Sequence, residues 1–213
     1  FVDPVLVGQP GDYVVRGTGA NTTFSVLKIP TPNPRQYFLV ENRQFAGFDA
    51  SLAYEHIPSG GILIWHIDEQ VILNKRNYGV NDNEYHKGVD VEEANEGRIG
   101  FSQLDTYSTV SGLLYGFDHS YHSSGSENTT FNRYARPNSD LYFGPDDISG
   151  HPGYVPSNIT VTVPGVSSSS MTVRVDGPST IVSQSGGTTA VAEGAAPGAP
   201  GAEDTYTVAL NCQ

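Results

Sequence analysis

A seven-residue run, Gly61-Ile-Leu-Ile-Trp-His-Ile67, is apolar at every position that carries a side chain except His66. Successive residues of a strand point to opposite sides, so such a run must be covered on both faces. It predicts a buried central strand. A chain of 213 residues is long enough to supply the cover. Further β-rich runs, alternating or continuous and bounded by turn residues, lie at 12–16, 23–29, 36–41, 87–93, 158–163 and 171–176. Between the first two, Gly17-Thr-Gly-Ala-Asn21 reads as a hairpin connection. Pro30-Thr-Pro-Asn-Pro-Arg35 can form neither a helix nor a central strand, because each proline removes a backbone donor. Helix is expected only in short pieces such as 69–77. The expected fold is all-β: an antiparallel β-sandwich-like domain with long irregular loops and an extended C-terminal tail.

From 102 to 156 the alternation gives way to Tyr, Ser, Gly, Asn and Asp, an uncommonly long loop-rich stretch for a compact domain. Its aromatics, among them Tyr107, Tyr115, Phe117, Tyr121, Phe131, Tyr134, Tyr142 and Phe143, argue for packing. A boundary is expected near Gly177, dividing a β-rich domain at 1–177 from a linker and terminal strand at 178–213. Residues 186–202 are Gly, Ala, Pro and Thr but for Val191 and Glu193, with little to bury. Beyond them, 205–210 reads as a strand that docks on a sheet edge through Tyr206, Val208 and Leu210 or the alternate set. Pairing with a neighbouring copy is favoured over pairing within the chain.

A net charge of −12 argues against a nucleic-acid partner, since phosphate binding needs a basic face. No apolar run reaches the length of a membrane-spanning helix, and no signal peptide is expected within these residues. The start at Phe1 is expected of a processed or excised piece. The single cysteine, Cys212, leaves no intrachain disulfide to form. A zinc-peptidase helix needs two histidines four apart with an adjacent glutamate, and none of His56, His66, His86, His119, His122 and His151 stands in that spacing. There is no Gly-x-Ser-x-Gly elbow and no phosphate loop. No catalytic residue and no cofactor site is assigned from the sequence.

An ordered series remains. Gln36-Tyr-Phe-Leu-Val-Glu-Asn-Arg-Gln44 is followed by Gly60-Gly-Ile-Leu-Ile-Trp-His-Ile-Asp-Glu69, and then by His86-Lys-Gly-Val-Asp-Val-Glu-Glu-Ala94. Together with Phe143-Gly-Pro145 and the strands at 158–163 and 171–175, it resembles the block downstream of the zinc site in secreted immune inhibitor A-like (M6-type) metallopeptidases. The resemblance covers roughly 5–176. It implies a secreted, extracellular proteolytic system whose zinc motif lies outside this chain.

Two readings of the charged residues in these motifs stand side by side. Glu41, Arg43 and Asp68 either hydrogen-bond loop amides and pair with one another, or they abut a catalytic cleft of the parent protein. His66 and His86 could approach each other if the intervening loop folds back. The oxygen-rich stretch 81–96 offers Asp82, Asn83, Glu84 and Asp90 as calcium ligands, with Asp146-Asp147 as the competing pair. A solvated acidic loop is the alternative.

The leading expectation is a non-catalytic structural or accessory module of a secreted zinc-metallopeptidase-like protein. Its partner would be a protein, either the catalytic domain or identical subunits. The alternative is a self-assembling filament or surface-layer subunit that exchanges tail strands. It draws on the tail and on a content of only three lysines. A carbohydrate-binding module built on the tyrosine-rich loops is a third possibility.

Overall fold

The computed structural model describes residues 3–17, 25–47, 49–50, 60–75, 79–83, 85–92, 94, 129–135 and 137–177, together with the backbone of 180–184 and 206–210. Two sheets carry the fold. In order along the chain, β1 (Val5–Leu6), β3 (Val26–Pro30), β4 (Gln36–Arg43), β5 (Gly61–Asp68) and β6 (Val89–Glu92) form the first, with spatial order β1-β3-β4-β5-β6. The second is β2 (Gly11–Arg16), β11 (Ser170–Asp176), β10 (Thr160–Thr162) and β7 (Thr130–Phe131), in that spatial order. Between the named strands of the two sheets all ladders are antiparallel except β1 with β3.

The two sheets face each other. Leu27, Ile29, Phe38, Val40, Ile62 and Ile64 of the first share one buried cluster with Val15, Phe131, Val161, Met171, Val173 and Val175 of the second. Strict alternation makes this possible in β11, where Met171, Val173 and Val175 point inward and Thr172 and Arg174 outward. On that outer face Arg174 lies opposite Asp12 and pairs with Asp176 at 2.9 Å. The first sheet differs because its strand β5 is buried on both faces. As expected, β5 is an interior strand, flanked by β4 and β6.

Several expectations change. Trp65 is only half-buried, because register puts it on the face away from the inter-sheet core, beside Leu63, Val91 and Phe45. Its indole N–H donates to Glu41 Oε1 at 2.9 Å, a polar contact that explains why this ring sits off the core. β2 and β3 do not ladder as the expected hairpin, whose connection at 18–21 lies outside the described residues. β2 and β3 belong to opposite sheets; beside the connection Arg16 N donates to Ser25 Oγ at 2.9 Å and Ser25 N to Arg16 O at 3.4 Å, and across the core Val15 packs in one cluster with Leu27 and Ile29. Both strands bury one apolar row, and facing rows satisfy that as well as a shared ladder does.

The expected helix forms as α1 (Glu69–Asn74), shorter than 69–77. Within the loop-rich stretch, β7, β8 (Leu141–Phe143) and β9 (Gly153–Val155) form, with β8 and β9 making a ribbon of their own. Phe131 and Tyr142 are buried and Tyr134 is exposed, whereas Tyr107, Tyr115, Phe117 and Tyr121 lie outside the described residues.

The tail strand also finds a different partner. β13 (Tyr206–Leu210) pairs antiparallel with β12 (Thr180–Gln184) of the same chain, a strand that the sequence reading did not include. Truncation after Gly177 removes both strands of that ladder at once and leaves every strand of the two main sheets in place. The truncated chain is expected to unfold within about 0.5 kcal/mol of the full chain in urea and to keep its oligomeric state in size-exclusion chromatography. A larger loss of stability or a changed elution volume would show that the ribbon braces the sandwich or links copies.

Candidate functional site

Register builds the site. His66 pairs with Phe38 across one ladder and with Asp90 across the other, and Ile64 pairs with Glu92. Paired residues share a face, so Asp90, Glu92 and His66 all point to the core side of the first sheet, at one end of the sandwich. Gln36 and Tyr142 close that end. The Gln36 side chain grips the backbone of Tyr142 in both directions: Nε2 donates to Tyr142 O at 2.9 Å, and Tyr142 N donates to Oε1 at 2.9 Å. This fixes which way the amide points. Oε1 can then only accept from His66 Nε2, 3.1 Å away, so Nε2 carries the proton and Nδ1 faces Glu92 Oε1 at 3.5 Å.

His66 is 1% exposed, and burial lowers its pKa to about 4; the positive charge of His86 adds to that, against the pull of Asp68. The Tyr142 ring stacks on His66 with centroids 4.7 Å apart, and its hydroxyl donates to Asp90 at 3.0 Å. Burial, then the charges of Asp90 and Glu92, raise that phenol well above its ordinary value. Lys87 is also buried, 3.4 Å from Asp90.

A second constellation lies on the other side of Tyr142. Asp68 ends β5 and caps α1, accepting from Gln70 N at 2.7 Å and Val71 N at 3.2 Å. Its other oxygen lies 3.2 Å from His86 Nε2, and His86 Nδ1 lies 2.6 Å from Asp146 Oδ1. His86 is thus held between two carboxylates, one at the start of α1 and one after the β8–β9 ribbon's first strand. Partial burial alone would lower its pKa, yet the hydrogen bonds and charges of Asp68 and Asp146 outweigh that and raise it. For Asp68 burial pushes up, and the bonds from His86, Val71 and Gln70 outweigh it to leave the pKa lowered. His86 also packs on Tyr142 at 4.4 Å, so the two histidines do come together, through the ring between them.

Tyr142 separates two hollows. One, of about 620 Å³, is bordered by α1, the 79–86 loop and Phe143 to Asp146. The other, about 310 Å³, is lined by His66, Lys87, Asp90, Glu92, Asp140 and Tyr154, among others.

The expected calcium ligands are divided between surroundings. Asp90 faces Lys87 and Tyr142, while Asn83 donates through Nδ2 to Asp146 Oδ2 at 2.8 Å and to Gly150 O at 2.7 Å. Asp82 lies against Gly79, and Glu84 lies outside the described residues. Asn83 and the competing Asp146 are therefore neighbours, although the sequence treats them as separate options. Asp147 instead closes its own turn, accepting from Ser149 N and His151 N at 2.7 and 3.0 Å. Glu41 and Arg43 pair at 2.7 Å as expected, but Asp68 is not with them, since register sets it beside Gln36 at the other end of the ladder. His119 and His122 lie outside the described residues.

Neither the protein-family models nor the curated proteins compared with this sequence match it.

Proposed function

We propose that this chain is a non-catalytic structural module of a secreted, zinc-metallopeptidase-like protein, acting beside a catalytic domain. One observation carries the reading. β4, β5 and β6, the strands that hold the resembling motifs, are consecutive in one sheet, and their polar groups are engaged within the chain. Glu41 holds Arg43 and Trp65; His66 meets Gln36 and Glu92; Asp68 caps α1 and holds His86; Asp90 holds Lys87 and Tyr142. Both nitrogens of His86 face carboxylates, so neither is placed to take a proton from a nucleophile. Charged groups committed this way organise a scaffold.

The purified 213-residue chain is expected to leave casein intact with or without added zinc. Cleavage that a chelator abolishes would overturn the proposal. The association with a peptidase is tested separately, by the coding sequence N-terminal to Phe1. A His-Glu-x-x-His motif there is the expected finding, and an unrelated domain would remove the assignment.

A further inference from the structure

We infer that the cleft beside α1 binds a neutral saccharide. Its volume, about 620 Å³, falls among small-molecule sites of about 300–1,000 Å³. Its described lining balances three basic side chains, Arg35, Lys75 and His86, against three carboxylates, Asp68, Asp82 and Asp146, although the whole chain carries −12. His86, Asp68 and Asp146 are already joined to one another, which leaves Arg35, Lys75 and Asp82 facing the cleft.

Between these charges stand the amides of Asn33, Gln70 and Asn74. Gln70 Nε2 donates to Asn74 Oδ1 at 2.9 Å and Asn33 Oδ1 accepts from Arg35 N at 3.0 Å, so what they turn to the cleft is the acceptor Gln70 Oε1 and the donor N–H groups of Asn33 and Asn74. An anionic ligand would meet Asp82, and an ammonium ligand would meet Arg35 and Lys75. A ligand of many hydroxyls, each donor and acceptor at once, suits a lining in which neither sign nor role dominates. Phe143 supplies the apolar surface that the carbon face of a sugar ring requires. It stands 64% exposed at the edge of this cleft, whereas Tyr142 before it is buried. Gly144 follows at φ +75°, and no neighbour comes within 4 Å of where its Cβ would be, so the turn keeps that rim open. This inference stands apart from the association with a peptidase, and either can fail alone.

Titration of the full chain by calorimetry tests it, with maltotriose, cellotriose, xylotriose and chitotriose as neutral probes and trigalacturonate and triglycine as charged ones. At least one neutral trisaccharide is expected to bind with a Kd below about 1 mM. Phe143→Ala and Gln70→Ala, both at exposed side chains, are expected to weaken that binding about tenfold or more while leaving the circular dichroism spectrum unchanged. Arg174→Ala, on the outer face of the second sheet, is expected to leave binding unchanged. The inference is overturned if no neutral probe binds saturably, if only trigalacturonate or triglycine binds, or if neither cleft variant weakens binding.

Discussion

Phe38→Ala is expected to destabilise the chain by about 3–5 kcal/mol, and Trp65→Ala by about 1–3 kcal/mol, despite the larger ring removed in the second case. Phe38 is fully buried between the sheets, edge-on to Phe131 at 5.1 Å and against His66 at 4.8 Å. Truncation there opens a cavity whose walls come from both sheets and cannot collapse far. Trp65 lies on the opposite face of the same sheet, half-buried beside Leu63 and Val91. Water can fill part of the space its ring leaves, and the main specific loss is its bond to Glu41, worth about 1.5–3 kcal/mol for a charged acceptor. Equilibrium unfolding in urea with unchanged m-values gives both numbers. An equal or larger loss for Trp65→Ala would place the tryptophan in the main core and reverse the assigned face.

That comparison also marks how far the sequence could be read. Its apolar runs identified β5 as an interior strand, and alternation located β2, β4, β10 and β11 to within a few residues. Which face of β5 meets the second sheet was not legible, because both faces are apolar and periodicity carries no sign. The same ambiguity produced the hairpin expected at 17–21, since an apolar row reads alike whether its neighbour is laddered beside it or stacked across the core. β8 and β9 are three residues each, too short to establish a period of two.

The site was legible in its parts and not in its assembly. Asp68, His66, His86, Asp90 and Asp146 were all singled out, and His66 was set near His86, but Asp68 was grouped with Glu41 and Arg43, and Asp146 was set apart from Asn83. Gln36 meets Tyr142 across 106 residues, and His86 meets Asp146 across 60, separations that no local pattern encodes. Glu41 and Arg43, two apart on one strand, were paired correctly because the strand geometry alone brings them together.

The two histidines that flank Tyr142 are expected to give the chain a stability maximum near pH 6.5, each controlling one side of it. His66 has a folded pKa lowered to about 4, so between about 4 and its ordinary 6.5 the unfolded chain binds more protons than the folded one. Stability contributed by this group is therefore full above about 6.5 and is lost as pH falls towards 4, by roughly 3 kcal/mol at about 1.4 kcal/mol per pH unit. His86 has the opposite sign. Its folded pKa is raised by Asp68 and Asp146, so the folded chain holds the extra proton, and the stability it contributes is full below about 6.5 and lost as pH rises through the raised value. The charges nearest these rings are Glu92, Asp90 and Lys87 on one side of Tyr142 and Asp68 and Asp146 on the other. Asp68, whose pKa is lowered, keeps its own contribution throughout this range and loses it only on further acidification. Urea unfolding at half-unit intervals from pH 4.5 to 8.5 reads these slopes, and two variants separate them. His86→Gln is expected to lose about 1.5–3 kcal/mol at pH 6, the worth of its charged hydrogen bonds, and to flatten the fall above pH 6.5 while keeping the acid-side rise. His66→Gln is expected to flatten the acid-side rise and keep the alkaline fall. If His86→Gln leaves the slope above pH 6.5 as steep as in the parent chain, His86 is not held as a cation between Asp68 and Asp146.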